Sequence, residues 1–522
     1  MRTLKQSTLL IMIFSIVTRV ISFFFKIYLS RRVGAEVLGL FQMAASIFGL
    51  FCTIAGSGIP LMLSRRTAEL TALKADEKQM NGVMTGAILL SLGITAFLIF
   101  GAVLFKSKLT FLFSDGRCVD LFYLLLPALI STVIYQLLRG FFMGKARYFD
   151  YSATELIEEV IKIVACLTFL SNAFITLSDQ TALTIAFTVT DYIVMGILLI
   201  LYLVRGGRFA KPQETKNLFR AGLPVTGMRI AAGLITSFIA IALPAALVRA
   251  GTSPSDAAAE YGRAVGMAFS LLFAPLSLTG ALSVVILPEA AALAAKGETR
   301  ELRLRIAESL LFIFIITVLF YALFLVLGKQ YGLLLFKDEK AGLFVSCSAG
   351  MVIPAALSGL INTTLNSLGE ERKVFISFLI SSGFLILSVL LLPQKIGIYA
   401  LSVGECAFHL CSFLCGMLLL SKKQVLSPTL FKPACLILTL AFPTAVAVKI
   451  LSLSVENLGF GIFFSAAIPT LGGVLIYFTL LLVFKPIPNL KAVLLKTRKK
   501  IGVHKKRKKV SHARTARDPI PS

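Results

Sequence analysis

Residues 127–131 read PALIS, and residues 354–358, which begin 227 positions later, read PAALS. Each pentapeptide stands in an apolar run, and the two runs end near Gly144 and Gly369. A repeat of this kind in a very apolar chain predicts a duplicated membrane protein. In such proteins the substrate site usually lies between the two halves.

The composition agrees with a membrane protein. The chain is 57% hydrophobic and 15% charged, whereas a soluble domain carries about a quarter charged residues. An apolar run of about 20 residues can cross the hydrocarbon core as a helix, which satisfies its own backbone hydrogen bonds there. We identify fourteen such runs: 8–29, 38–62, 82–105, 120–142, 155–171, 181–204, 221–248, 262–287, 306–328, 342–366, 374–392, 397–420, 433–453 and 458–484.

The repeat extends beyond the two pentapeptides. Gly39 matches Gly262, and Arg19 in the first run matches Arg229 in the seventh. Each half then holds six runs, so both halves enter the membrane from the same side, and the pseudo-symmetry axis follows the membrane normal. We predict an all-α polytopic membrane protein of about 14 transmembrane helices, with two six-helix lobes in a parallel pseudo-repeat and two C-terminal helices. The predicted domains are an N-lobe at 1–205, a C-lobe at 206–421, helices 13 and 14 at 422–484, and a basic tail at 485–522.

The positive charge follows the predicted topology. The net charge is +26, and connections on the side of the N-terminus carry roughly twice as many Lys and Arg residues as the opposite connections. This bias predicts a multi-pass protein of the cell membrane with both termini in the cytoplasm. The tail, densest in cations at 505–509, is typical of a disordered segment held near anionic lipids. It lacks the aromatic or folded context of nucleic-acid binding, so we expect no nucleic-acid partner.

Three motifs that are typical of enzymes are absent from the sequence. We find no Walker lysine motif, no Gly-x-Ser-x-Gly elbow and no His-Glu-x-x-His. None of the eight cysteines forms a Cys-x-x-Cys pair, and there are only three histidines. We therefore expect no enzymatic activity, no cofactor and no metal site.

Four cations in or near the apolar runs are candidate substrate-binding residues. Arg19 and Lys26 are seven positions apart, which places them on one helix face about 10 Å apart along the axis. Arg229 lies one to two turns inside the start of the seventh run, and Arg263 is at the start of the eighth. If the halves face each other, the four residues line one cationic cavity, in which a guanidinium suits bidentate capture of phosphate. The alternative is that Lys26, Arg229 and Arg263 extend to lipid headgroups.

Three acidic residues in the runs are candidates for ion coupling, because ionisable groups inside a membrane usually face a cavity or a partner. Glu158 is four positions from Lys162, and a simple pair of the two is the favoured interpretation. Asp191 is a proton or sodium site or the partner of a basic residue on another helix. Glu405 is four positions from His409, and we favour a hydrogen-bonded pair over a metal site or proton relay.

Three stretches of the chain carry a resemblance to a known family. They are SIVTRV at 15–20 leading into GLFQ at 39–42 and AGSGIP at 55–60; RGFFMG at 139–144 followed by SATELIEEV at 152–160; and NSLG at 366–369. Together they resemble the polysaccharide-exporter branch of the multidrug/oligosaccharidyl-lipid/polysaccharide flippase superfamily, near the group of stage V sporulation protein B and its relatives. The likeness covers about residues 1–485.

The resemblance implies two lobes that open alternately to each side of the membrane. It implies translocation of lipid-linked saccharides on an undecaprenyl pyrophosphate carrier, including peptidoglycan precursors, for cell-wall, spore-cortex or capsule synthesis. Relatives that flip lipid II use a cationic cavity, and their two extra helices form a groove for the lipid tail. This sequence departs from them in its second run, which has no arginine before Arg65.

We therefore predict an alternating-access flippase for lipid-linked oligosaccharide, acting as a monomer and working with wall-synthesis enzymes. A cation-coupled multidrug exporter of the same superfamily is one alternative. A non-transporting membrane scaffold for wall synthesis, recruited through the basic tail, is another.

Overall fold

The computed structural model describes residues 4–56, 58–110, 113–171, 176–277, 280, 290–426 and 430–485. Within these ranges the chain is helical and contains no β-strand, which confirms the all-α prediction. Ten helices of the described part are long and apolar enough to cross a membrane, or eleven if one bent pair is counted as a single span. The predicted tail lies outside the described residues, apart from Lys485.

The N-terminal half is built from eight helices. They are α1 (Leu4–Gly56), α2 (Ile59–Ala72), α3 (Glu77–Leu104), α4 (Lys106–Thr110), α5 (Arg117–Leu125), α6 (Ala128–Gly144), α7 (Tyr148–Leu170) and α8 (Asp179–Val204). We call this part the N-half.

The C-terminal half begins with α9 (Thr215–Arg249), α10 (Pro254–Tyr261), a π-helix (Gly262–Ala268) and α11 (Phe269–Leu272). It continues with α12 (Thr299–Tyr331), a second π-helix (Gly332–Phe336), α13 (Glu339–Ser348), a 3-10 turn (Ala349–Met351), α14 (Val352–Ser367), α15 (Glu371–Leu391), α16 (Pro393–Ile396) and α17 (Tyr399–Lys422). We call this part the C-half. The last three helices are α18 (Phe431–Thr439), α19 (Ala441–Asn457) and α20 (Ile462–Phe484).

Each of the fourteen predicted runs coincides with a described helix over at least part of its length. Two of them share α1, which is broken at Gly34, where φ is 78°. Glycine adopts this left-handed conformation without the steric cost that a Cβ brings. The fifth run forms α7, which is missing from the ten candidate spans because charged residues interrupt it. The end of the eighth run, at 278–279 and 281–287, lies outside the described residues.

The two repeated prolines mark matching irregularities. Helices α5 and α6 meet at Pro127 with a bend of 45°. The 3-10 turn Ala349–Met351 interrupts the helix just before Pro354. Proline has no backbone N–H and its ring clashes with the preceding turn, so a straight helix is disfavoured at both places. Both prolines therefore shape the helices in which they stand.

One apolar cluster joins the two halves and contains, for example, Phe122 and Phe344. A second cluster, which includes Leu63 and Phe142, lies in the N-half apart from Leu218 of α9. Another, which includes Leu310 and Ile361, belongs to the C-half. Lipid tails are as apolar as these side chains, so in a membrane such clusters are stabilised by close packing and not by withdrawal from water. The domain boundaries at 205 and 421 stay predictions.

The last two helices pack on one helix of the C-half. Tyr477 donates a hydrogen bond of 3.0 Å to the carbonyl of Ile315. The Gln330 amide donates to Ser452 at 3.1 Å and to Glu456 at 2.9 Å. Both anchors lie on α12, so α19 and α20 extend the C-half.

The two halves meet where the repeat-related glycines Gly39 and Gly262 face each other. A Cβ added at Gly39 would overlap the carbonyl oxygen of Ala258, and one added at Gly262 would overlap that of Ala35. Only glycine allows backbones to approach so closely. We call this side of the molecule the glycine end.

Polar contacts hold the halves together at the glycine end. Ser255 donates a hydrogen bond of 2.5 Å to Glu36, which also pairs with Arg117 at 2.8 Å. Arg117 pairs with Asp115 at 2.7 Å. Burial pushes the pKa of Asp115 upward, but the hydrogen bonds and charge of Arg117 outweigh burial and lower the pKa below its ordinary value. The Asp115–Arg117 pair therefore persists well below neutral pH.

At the opposite end an ion pair joins the halves. Arg66 donates two hydrogen bonds, of 2.8 and 2.7 Å, to the carboxylate of Glu214. Nearby, a Cβ at Gly58 would overlap the carbonyl oxygen of Gly222, so this second crossing is also made backbone to backbone. We call this side the basic end.

Candidate functional site

A cavity of about 550 Å³ lies against the N-half and reaches α9 of the C-half. Its polar lining is provided by Thr53, Ser64, Tyr135, Gln136, Arg139, Tyr151 and Arg229. Two guanidinium groups thus share one concave space with hydroxyl and amide groups, a donor set that suits an oxyanion. We call this space the arginine cavity.

Arg139, in the C-terminal half of α6, is the best-defined cation of the cavity. Its guanidinium stands 4.2 Å from the ring centroid of Tyr151 and 5.4 Å from that of Tyr135. It donates to the Tyr135 hydroxyl at 3.2 Å and to Glu155 at 3.1 Å. Its buried Nε donates to no group in the described part of the chain. Such a buried donor calls for a partner, which a ligand oxygen can supply.

Arg229 provides the cation from the other half. It lies within α9, its side chain is exposed, and it lines the arginine cavity. The sequence placed this residue among the candidate cations of a shared cavity. The structure adds that its counterpart across the cavity is Arg139, which comes from a different half.

Arg19 and Lys26 lie along α1, beside the helix that carries the acidic residues. Arg19 is exposed, and its Nε is 3.4 Å from the Ser15 hydroxyl. Lys26 interacts electrostatically with Glu159 and Lys162 of α7. Neither residue is part of the described lining of the arginine cavity. Their predicted contact with substrate stays a prediction.

Arg263 lies at the glycine end. Its guanidinium pairs with Glu260 at 3.0 Å and with Asp338 at 2.9 Å. Two carboxylates on one half-buried arginine favour a structural role, because they occupy the donors that a phosphate needs. The predicted chamber lined by all four cations is therefore not the arrangement of the described residues.

Acidic side chains continue the polar network behind Arg139. The Tyr135 hydroxyl donates a short hydrogen bond to Glu158. Lys162 pairs with Glu158 at 3.6 Å and with Glu159 at 3.1 Å. The predicted pair of Glu158 and Lys162 is thus present, and Tyr135 connects it to Arg139.

Asp191 of α8 also belongs to this polar network. It accepts a hydrogen bond of 2.9 Å from Thr132 of α6 and interacts electrostatically with Glu158 and Lys162. The prediction named a basic residue on another helix as its partner, whereas the structure shows a hydroxyl group as the hydrogen-bond donor and an electrostatic interaction with Lys162. We call Glu155, Glu158, Glu159 and Asp191 the carboxylate cluster.

Glu405 belongs to a separate group in the C-half. Its carboxylate is 3.6 Å from Nε2 of His409, and Nδ1 of His409 is 3.3 Å from the Ser358 hydroxyl. Phe408 and Phe273 pack edge-on to the imidazole. The predicted pairing of Glu405 with His409 is present, and it lies outside the lining of the arginine cavity.

Sequence reasoning assigned Arg139 to a basic connection, because it stands near the end of an apolar run. In the structure it is inside α6, one turn beyond Tyr135. The i, i+4 spacing of Tyr135 and Arg139 was the available signal, because side chains at this spacing share a helix face.

Replacing Tyr135 by phenylalanine is expected to lower the free energy of unfolding by about 1–3 kcal/mol. The change removes the donor to Glu158 and an acceptor of Arg139, so each of these two groups loses a hydrogen bond inside the protein. Thermal unfolding of the purified protein measures the effect. Tyr192→Phe is the matched control, because the Tyr192 hydroxyl donates to the Pro127 carbonyl at an exposed site. Equal losses for both variants would contradict a linking role for Tyr135.

Solved structures share this fold. The lipid II flippase MurJ in an inward closed conformation has a TM-score of 0.70 with 13% identity, covering 91% of this chain and 98% of that one. An inward-facing multidrug resistance MATE family transporter of the MOP superfamily has a TM-score of 0.65 with 15% identity, covering 78% and 95%. At these identities the likeness establishes the fold alone, which is that of a multi-pass helical membrane protein.

Residues 4–293 match the family described as polysaccharide biosynthesis protein, and the chain belongs to that family. Stage V sporulation protein B of Bacillus subtilis (strain 168) is 27% identical over 307 residues, which are 55% of this chain and 58% of that protein. Sporulation protein YkvU of the same organism is 21% identical over 305 residues, 55% of this chain and 65% of that protein. The chain spans less than two thirds of either relative. The resemblance stated from the sequence is confirmed.

Proposed function

We propose that this protein is a flippase that moves a lipid-linked oligosaccharide across the cell membrane by alternating access. The pyrophosphate of an undecaprenyl-type carrier would bind between Arg139 and Arg229, while the polyprenyl tail stays in the lipid. The observation that carries the proposal is one cavity with a guanidinium from each half. The family match and the fold shared with a lipid II flippase support it.

Binding between the two halves couples the anion to their relative movement. A ligand that touches Arg139 on α6 and Arg229 on α9 binds best at one separation of these helices, so it favours the conformation that provides that separation. The glycine end and the basic end are the places where such a movement must break contacts. With both termini in the cytoplasm, as the charge bias predicts, the glycine end is the outer side.

The product would serve cell-wall, spore-cortex or other polysaccharide synthesis. Two relatives of this chain are sporulation proteins, which supports the spore-forming setting. In this proposal the protein acts as a monomer with wall-synthesis enzymes as partners, and the basic tail holds anionic lipids. Glu158, Asp191 and Glu405 stay candidates for ion coupling. Arg263 is left out of the binding site because two carboxylates hold it.

Multidrug export is the second candidate, since MATE transporters share the fold. The lining of the cavity argues against it. Two arginines repel the organic cations that such exporters commonly take, and they attract phosphate.

The test is transport by the purified chain in liposomes. We expect a fluorescent undecaprenyl pyrophosphate disaccharide to move between leaflets, and we expect ethidium to stay on its side. Liposomes without protein and a carrier lipid with an uncharged headgroup are the controls. Movement of ethidium without movement of the lipid would favour the exporter. If neither moves, and deletion of residues 486–522 alone abolishes function in cells, the scaffold alternative is correct.

A further inference from the structure

Glu155 holds the arginine that faces the arginine cavity. Its carboxylate is 3.1 Å from a terminal nitrogen of Arg139. The Glu155 side chain is 40% exposed, while that of Arg139 is 18% exposed. The carboxylate is therefore the accessible partner of the pair, and it occupies a donor that a phosphate oxygen would use.

Negative charge predominates around this pair. The carboxylate cluster contributes Glu155, Glu158 and Glu159 from α7 and Asp191 from α8. The facing cations are Arg139 from α6, Lys162 from α7 and Lys26 from α1. Further titratable neighbours are Tyr135 and Tyr151, on either side of Arg139, Cys52, which interacts with Asp191, and Cys166, which interacts with Glu159 and Lys162. Four carboxylates thus face three cations, while Arg229 stands across the cavity.

We propose that an anionic phosphate bound at Arg139 displaces Glu155, and that the released carboxylate takes up one proton from water. Binding of the carrier headgroup would then bring a proton into the N-half. This inference rests on the proposed function, because it assumes that the ligand is the carrier pyrophosphate. No covalent bond of the ligand changes, and the proton adds to a carboxylate oxygen of Glu155.

The exchange follows from competition for one guanidinium. A pyrophosphate carries more charge than a carboxylate and can accept two parallel hydrogen bonds from the fork of an arginine. Without Arg139, Glu155 is left beside Glu158, Glu159 and an incoming anion. Like charges at short distance cannot all stay ionised, so one of them binds a proton.

The sign of the pH dependence is fixed by this exchange. The complex holds one proton more than the free protein and ligand, so the affinity rises as the pH falls. For a single proton the affinity increases by at most about tenfold per pH unit. Without Glu155 as a titrating group, that increase should shrink to the part that comes from the ligand phosphates.

The experiment is calorimetric titration of the full chain in lipid nanodiscs with undecaprenyl pyrophosphate. Measurements between pH 6 and 8 in buffers of different ionisation enthalpy give the number of protons taken up. We expect about one more proton per bound lipid in the wild type than in Glu155→Gln, together with wild-type affinity or better for that variant at pH 8. Protons that are still taken up when the Glu155→Gln variant binds the lipid are those that add to the lipid phosphates.

Two further variants keep the result interpretable. Glu155→Asp retains a carboxylate and should restore the proton uptake. Glu370→Gln is the matched control, because Glu370 is paired with Lys373 at 2.8 Å and Lys423 at 2.6 Å, away from the cavity. It should behave as wild type.

The possible outcomes separate the two proposals. Equal proton uptake and equal pH dependence in the wild type and in Glu155→Gln would overturn the exchange at Glu155 and leave the flippase proposal standing. Absence of any binding of undecaprenyl pyrophosphate to the folded wild type would overturn both.

Discussion

Replacing Gly262 by leucine is expected to abolish transport while the helices of each half stay folded. A Cβ at this position would overlap the backbone of Ala35, so the halves cannot approach at the glycine end. The contact lies where the pseudo-repeat brings Gly39 and Gly262 together, and no side-chain rearrangement can relieve a clash with backbone. Alanine at position 262 should already impair closure.

Distance measurements between spin labels check this expectation. Labels at Asp120 and Lys340, both exposed, report the separation of the halves near the glycine end. The Gly262→Leu variant should lose the short distance and the transport activity together. Gly93→Leu is the matched control, because nothing lies within 4 Å of a Cβ added there. Wild-type distances and transport in Gly262→Leu would show that the halves do not need this contact.

Replacing Arg139 by alanine is expected to lower the affinity for carrier pyrophosphate at least about a hundredfold. The charge-assisted hydrogen bonds of the guanidinium contribute about 3 kcal/mol to the binding free energy. Their loss corresponds to about a hundredfold lower affinity. The exposed carboxylate of Glu155 would then repel the anion as well. Arg139→Lys should fall between wild type and alanine, because lysine keeps the charge without the planar fork.

Lipid binding and the translocation rate in liposomes measure the loss. Thermal unfolding must accompany them, since Arg139 also contacts Tyr135 and Glu155. Arg65→Ala is the control: Arg65 lies on α2, is 76% exposed and pairs with Glu69 at 3.3 Å. Normal binding by a folded Arg139→Ala protein would show that the arginine cavity is not the substrate site.

Local composition was sufficient to predict most of the fold. Apolar blocks, bounded by basic connections, located the helices, because each block must satisfy its own backbone in lipid. The repeat predicted that Gly39 corresponds to Gly262. That these two glycines also touch could not be predicted, because correspondence in a repeat does not specify contact.

The site was harder to predict, because the residues that interact in it are distant from each other in the sequence. Asp338, which holds Arg263, lies 75 residues away from it, so Arg263 resembled a cavity cation. Arg139 resembled a loop residue, and its contacts with Glu155 and with the cavity only exist once α6 and α7 pack together. Arg229 was identified because the repeat aligned it with Arg19. Pairings i, i+4 on one helix, such as Glu158 with Lys162 and Glu405 with His409, were predicted because helix geometry alone determines them.

The attachment of the last two helices has a practical consequence. Because Gln330 and Ile315 of α12 hold α19 and α20 through Ser452, Glu456 and Tyr477, this pair forms a rigid appendage of the C-half. An antibody fragment raised against the turn between α19 and α20 would report the orientation of the C-half without covering the arginine cavity. It would also supply the asymmetric mass that helps particle alignment when such a chain is imaged in different states.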